Sequence, residues 1–125
     1  MNKTNTVVLW KDIHQIAEAV CKRFDLTYSK IVPEINMRAK HYGQCRPCKK
    51  CCDSEFINEV NCKEKVIYLR LHQLNDARKP LSTRTILHTL AHELAHLREW
   101  NHGAKHRQFE TDILDYMLDL GYEVL

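Results

Sequence analysis

Ser82-Thr83-Arg84-Thr85-Ile86-Leu87-His88-Thr89-Leu90-Ala91-His92-Glu93-Leu94-Ala95-His96-Leu97 decides how the rest of the chain is read. Ser82 or Thr83 can cap a helix, and Ile86, Leu90, Leu94 and Leu97 recur at the spacing of one buried helical stripe. On that helix His92 and His96 share a face one turn apart, with about 6 Å between their Cβ atoms. Two imidazole nitrogens so placed can reach one ion at about 2.0–2.1 Å. Glu93, next to the first histidine, points beside the ion's open position, where it can take a proton from a water that the metal acidifies. The pattern predicts a catalytic zinc site with Glu93 as general base.

Such a site needs a third protein ligand and keeps one position exchangeable. Asn101-His102-Gly103 interrupts the helix, because Asn and Gly tolerate the left-handed backbone of a helix end. His102 at that break is the favoured third ligand. His106 is the second choice, and Glu110 would give a two-His, one-carboxylate site. If the segment from His102 is helical, these three share one face. His88, one turn before His92, reads as a supporting or exposed group. Glu99 and Trp100 either orient a ligand or pack the following helix.

Outward from the motif, Phe109, Ile113, Met117 and Leu120 mark a last helix ended by Gly121. Upstream, Trp10, Ile13, Ala17, Val20 and Phe24 predict an amphipathic helix over 9–24, with Cys21 a core thiol and His14 facing solvent or satisfied. Ile31 to Arg38 reads as a short strand that Pro33 assigns to an edge or a strand beginning. Tyr42-Gly43 reads as a turn, and Lys65 to Leu71 as a strand of β-branched and aromatic residues. The order helix, strand, strand, helix, helix predicts one α+β domain over 1–125. A chain of 125 residues suits one core.

The stretch Leu90 to Leu97 followed by Asn101-His102-Gly103 resembles the active-site region of the SprT-like and YgjP-like zinc metallopeptidases, with their H-E-L-x-H, short spacer and N-H-[SG] element. Arg38-Ala39-Lys40-His41-Tyr42-Gly43-Gln44-Cys45 is similar to the R-x-x-x-W-G-S-C turn of those families, and Val66 to Leu69 to the strand after it. The resemblance implies a compact zincin-like fold, His92, His96 and His102 as zinc ligands, and Glu93 as general base. His106 stands where these families place an aromatic residue, which is a departure. Glu99 stands where metzincins have a glycine, which sets that relation aside. SprT-like proteases act on DNA-bound proteins, so the resemblance extends the expected substrate to DNA-associated protein.

Cys45, Cys48, Cys51, Cys52 and Cys62 account for five of the six cysteines. They offer five thiols where a tetrahedral structural zinc takes four, with His41 an alternative ligand. Because Cys45 falls on the turn of the families resembled, Cys48, Cys51, Cys52 and Cys62 form a competing set. From Arg38 to Lys65 seven basic residues face four acidic ones, an excess equal to the chain's net +3. A solvated loop face is the ordinary reading of such a run, and DNA contact through the Cys-rich insertion at 45–62 the more specific one. The apolar run Val7-Val8-Leu9 is too short for a secretory core, and no stretch approaches the roughly 20 residues of a membrane span. The cytoplasm is therefore expected.

Three functions compete at this level. The first is a zinc endopeptidase that aligns a peptide substrate along the edge strand near Ile31–Met37. The second is a nucleic-acid- or protein-binding zinc module with a vestigial H-E-x-x-H site. The third is a zinc hydrolase of small molecules, which shares the metal chemistry of the first.

Overall fold

A computed structural model describes residues 10–34, 42–46, 64–72, 79–122 and 124. Its elements are α1 (Trp10–Phe24), β1 (Lys30–Pro33), β2 (Gly43–Arg46), β3 (Val66–Leu69), α2 (Thr83–Ala95) and α3 (Ala104–Asp119). Three helices and a three-stranded sheet make a small α+β domain. Among the described residues no helix is long and apolar enough to cross a membrane.

The sheet order is β1-β3-β2. β1 runs parallel to β3 in the register Ile31↔Ile67, and β2 antiparallel in the register Cys45↔Ile67. Backbone bonds from Ser29 to Lys65, Glu34 to Leu69 and Arg70 to Tyr42 carry the pairing past the strand ends. The sequence predicts two strands, and the structure has a third. Gly43 opens β2 instead of closing a turn, since β3 offers its second edge to any segment that can present backbone groups to it. Pro33 lies at the end of β1, an edge strand, where its missing N–H costs no ladder bond. Of the strand expected over Ile31–Arg38, residues 35–38 lie outside the described part.

Ile67 and Leu69 of β3 point to the helices and are fully buried, as are Ile86, Leu87, Leu90 and Leu94 of α2. Each such side chain contributes about 1.5–3 kcal/mol by leaving water. α2 packs on β2 and β3 and against α3, and α1 packs on α3. Phe24 sets its edge against the rings of Phe109 and Tyr116 at 5.3 and 5.9 Å. Arg98 stacks on Phe109 at 4.1 Å and donates to the Phe24 carbonyl, tying the end of α1 to the α2–α3 corner. Cys21 is half-buried against the same core, and burial, with Glu18 nearby, pushes its thiol pKa up to about 12.

Local chemistry sets the helix ends. Ser82 Oγ accepts from Thr85 N and caps α2. α1 and α3 both stop in a left-handed residue, Asp25 at φ 57° and Gly121 at φ 98°. The bonds Leu26 N to Cys21 O and Tyr122 N to Met117 O close each stop as a Schellman turn. After Ala95 the backbone tightens: His96, Leu97 and Arg98 donate to Glu93, Leu94 and Ala95, three residues back. That tightened turn brings the chain around so that Asn101–Gly103 returns over the face of α2 carrying the histidines.

Candidate metal centre

His92 on α2 and His96 at its C-cap turn their Nε2 atoms to the same point, and His102 from the break meets them there. His102 Nε2 lies 2.9 Å from His92 Nε2 and 3.0 Å from His96 Nε2. Nitrogens at about 2.0–2.1 Å from a tetrahedral zinc stand about 3.3–3.4 Å apart, only a few tenths wider. One nitrogen each from His92, His96, His102 and His106 lie within 4.8 Å of one another, so this cluster could hold a metal ion.

The other ring nitrogens fix which lone pairs face inward. His92 Nδ1–H donates to Glu110 Oε1 at 2.6 Å, and His96 Nδ1–H donates to the Glu99 carbonyl at 3.2 Å. In the neutral rings both Nε2 atoms are then bare acceptors. His102 has one Nε2 proton at most and can satisfy only one of them. The remaining contact sets lone pair against lone pair at about the contact distance of a hydrogen bond. A cation at the centre of the three removes that conflict, so the donor set suits a metal ion.

His106, expected as an alternative third ligand, is buried on α3 and donates its Nε2–H to the His92 carbonyl at 3.1 Å. Glu110, the other alternative, sits at Nδ1, across the ring of His92 from the converging nitrogens, so it orients this histidine in place of joining the cluster. His106 and Glu110 share a face of α3 as their spacing predicts, but α3 begins at Ala104 and leaves His102 in the break. His88 bonds the carbonyl of Val124, a buried residue, and so anchors the tail of the chain to α2.

Burial lowers the His96 pKa to about 4, helped by His106, His92 and His102 and opposed by the bond to Glu99. The ring is therefore neutral and ready to ligate. His106 is lowered by burial as well. Glu93, 5% exposed, has its carboxyl pKa raised to about 7, first by burial and then by Glu110. A carboxylate poised there takes up and gives back a proton near neutrality.

Two cleft lobes of about 340 and 350 Å³ meet at Gly43, His92 and Glu93. One continues past Gln44, Cys45, Trp100 and His102, the other past Tyr42, His88, Thr89 and Glu110. A Cβ on Gly43 would stand 2.5 Å from Thr89 Cγ2 and 3.0 Å from Glu93 Oε2. Only glycine lets β2 come this close to the general-base candidate. Sequence reasoning missed Gly43 and Gln44 as walls of the site; the one signal was the glycine's place in the upstream resemblance. Trp100, left open between two roles, lines the cleft with its ring 6.1 Å from that of His96 and Lys65 Nζ 5.4 Å from its centroid.

The expected edge strand is corrected too. The described part of Ile31–Met37 lies on β1, at the far edge of the sheet, and β2 is the strand that borders the cleft. Cys45 is in β2, half-buried against the core and lining the cleft. Cys48, Cys51, Cys52 and Cys62, with His41 and most of the basic segment, lie outside the described residues.

No protein-family model, no curated protein and no solved structure matches the chain.

Proposed function

We propose that the chain is a zinc metallopeptidase that hydrolyses peptide bonds in the groove between β2 and the His92–His96 face of α2. The observation that carries the reading is the convergence of three Nε2 atoms, two of them left as bare acceptors by the Nδ1–H bonds to Glu110 and to the Glu99 carbonyl, beside a buried carboxyl poised near neutrality. Three histidines and one open position suit zinc in a catalytic role. Zinc, when bound, supplies Lewis acidity that polarises a carbonyl and lowers the pKa of a water to about 7.

The chain's own residues supply the rest. Glu93 takes the proton from the attacking water and returns it to the leaving amine, a cycle that a pKa of about 7 allows in both directions. Glu110 and the Glu99 carbonyl hold the His92 and His96 rings in the tautomer that presents Nε2. Gly43 permits β2 to run beside Glu93, and an extended substrate lies along that edge. The two lobes meeting at Glu93 make a groove open on both sides, which suits a chain passing through better than a small molecule enclosed. The H-E-L-x-H and N-H-G elements, similar to those of the SprT-like and YgjP-like peptidases, support the same reading. DNA-associated proteins are the first substrates to try.

The test is Glu93→Gln in the full chain. The variant is expected to keep its zinc and to lose cleavage of an unfolded protein substrate by about 10²–10⁴-fold. Cleavage that survives the substitution overturns the proposal.

A further inference from the structure

Among the described residues, Trp100 is the largest side chain on the wall of the lobe that holds His92, His96 and His102. It stands in the turn after α2, half-buried, and its ring meets that of His96 at 6.1 Å. Cys45 lines the same lobe from β2. It pairs with Ile67, which is fully buried toward the helices, so its side chain shares that face of the sheet. Lys65, two residues before Ile67, is 2% exposed and sets its Nζ over the Trp100 ring, 5.4 Å from the centroid. Trp100 lines the lobe and Lys65 does not, so the indole stands between the ammonium and the cleft.

That sandwich decides what can sit on the open side of the ring. A cation against one face draws the π density toward itself. A second cation stacked opposite would stand about 9–10 Å from Nζ, where repulsion at an effective dielectric near 20 is worth about ten- to twentyfold in affinity. A neutral aromatic ring meets no such repulsion and packs offset or edge-on against an indole. Glu93 is the one acidic residue among those lining the lobe, and a zinc ion held by the histidines beside it offsets its charge. The lobe's 340 Å³ leaves room for an aromatic side chain beside a substrate backbone.

We propose that Trp100 and Cys45 form a subsite that takes an aromatic side chain next to the scissile bond, and that Lys65, behind the indole, makes it reject a basic one. The inference rests on the peptidase reading above and extends it to a substrate class; its test separates the two. The probes are capped peptide hydroxamates whose hydroxamate binds zinc and whose neighbouring side chain is Phe, Ala or Arg. One series carries that side chain on the amino-terminal side of the hydroxamate and a second on the carboxy-terminal side. Dissociation constants are measured by calorimetry on the zinc-loaded full chain: wild type, Trp100→Ala and Lys65→Met, with Trp100→Leu and Lys65→Gln as second variants should the first fail to fold. Ratios between probes on one protein cancel any loss of folded fraction, which scales every dissociation constant alike.

In one of the two series, wild type is expected to bind the Phe probe about tenfold more tightly than the Ala probe and at least tenfold more tightly than the Arg probe. Trp100→Ala is expected to bring the Phe-to-Ala ratio below about twofold. Lys65→Met is expected to keep that ratio and to bring the Phe-to-Arg ratio below about threefold, because the freed face of the indole then accepts a cation. Equal binding of Phe and Ala probes by wild type in both series, or a Phe preference that survives in Trp100→Ala, overturns the subsite and leaves the zinc centre standing. An unchanged Phe-to-Arg ratio in Lys65→Met overturns the part given to Lys65. Failure of every hydroxamate to bind zinc-loaded wild type overturns the peptidase reading, and the subsite with it.

Discussion

Replacing Glu110 probes the proposed centre without touching a ligand. Its Oε1 accepts from His92 Nδ1 at 2.6 Å, a short, charge-assisted bond that sets the ring's tautomer and rotation. Removing such a partner typically costs 10–100-fold in metal affinity, or about 1.4–2.8 kcal/mol. Both side chains are partly open to solvent, His92 at 36% and Glu110 at 26%, so screening places the expected loss for Glu110→Ala in the lower half of that range. Glu110→Gln keeps an oxygen that can accept the Nδ1 proton and drops only the charge, so its loss is smaller, about three- to tenfold. Zinc dissociation constants from competition with a chromophoric chelator read the series directly. Unchanged affinity in Glu110→Ala would refute the orienting role. An equal loss beyond about 10³-fold in both variants would make Glu110 a ligand itself and remove His102 from the triad.

Three further outcomes follow from the same geometry. Gly43→Ala drives a Cβ to 2.5 Å from Thr89 Cγ2 and is expected to destabilise the fold by about 1–3 kcal/mol, measured by urea unfolding; wild-type stability would contradict the close approach. Zinc removal by chelation should lower the melting temperature on the order of 10 °C relative to protein held at a hundredfold excess over the dissociation constant, and an unchanged midpoint would argue against any folded-state metal site. In zinc-free protein, Glu93 has a folded pKa of about 7 against an unfolded 4.5, so its contribution is full below 4.5 and is lost as pH rises through 7, a swing of about 3 kcal/mol. His96, lowered to about 4, acts oppositely, favouring the fold above 6.5 and losing that advantage as pH falls through 4. The two offset in wild type. The melting temperature of Glu93→Gln minus that of wild type should therefore grow from pH 5 to pH 8, and a flat difference would contradict the burial of a charged Glu93.

What the sequence disclosed, it disclosed where local chemistry governs. Ser82 caps α2, Gly121 ends α3, and the stripe Ile86, Leu90, Leu94 lies fully buried, because capping, left-handed backbone and helical period are properties of a few neighbouring residues. His92, His96 and His102 meet as their spacing suggests. The third strand was not legible. Gly43-Gln44-Cys45-Arg46 carries no β-branched or aromatic residue, and it is a strand only because β3 presents an edge to it. The division of labour among His102, His106 and Glu110 was hidden for a related reason. Spacing sets His106 and Glu110 on one face of α3, but that the first reaches the His92 carbonyl and the second its Nδ1 depends on how α3 crosses α2. Gln44 and Trp100 became part of the site only when β2 and the turn after α2 were brought together.

The proposed peptidase depends first on zinc held by the three histidines. The measurement is zinc per chain by elemental mass spectrometry, on protein purified reduced and without chelators, for wild type and His96→Ala side by side. The substitution is expected to remove one zinc per chain, whatever the cysteines between Cys45 and Cys62 retain. Equal zinc in the two proteins, or none in a folded wild type to which zinc has been added, would contradict it.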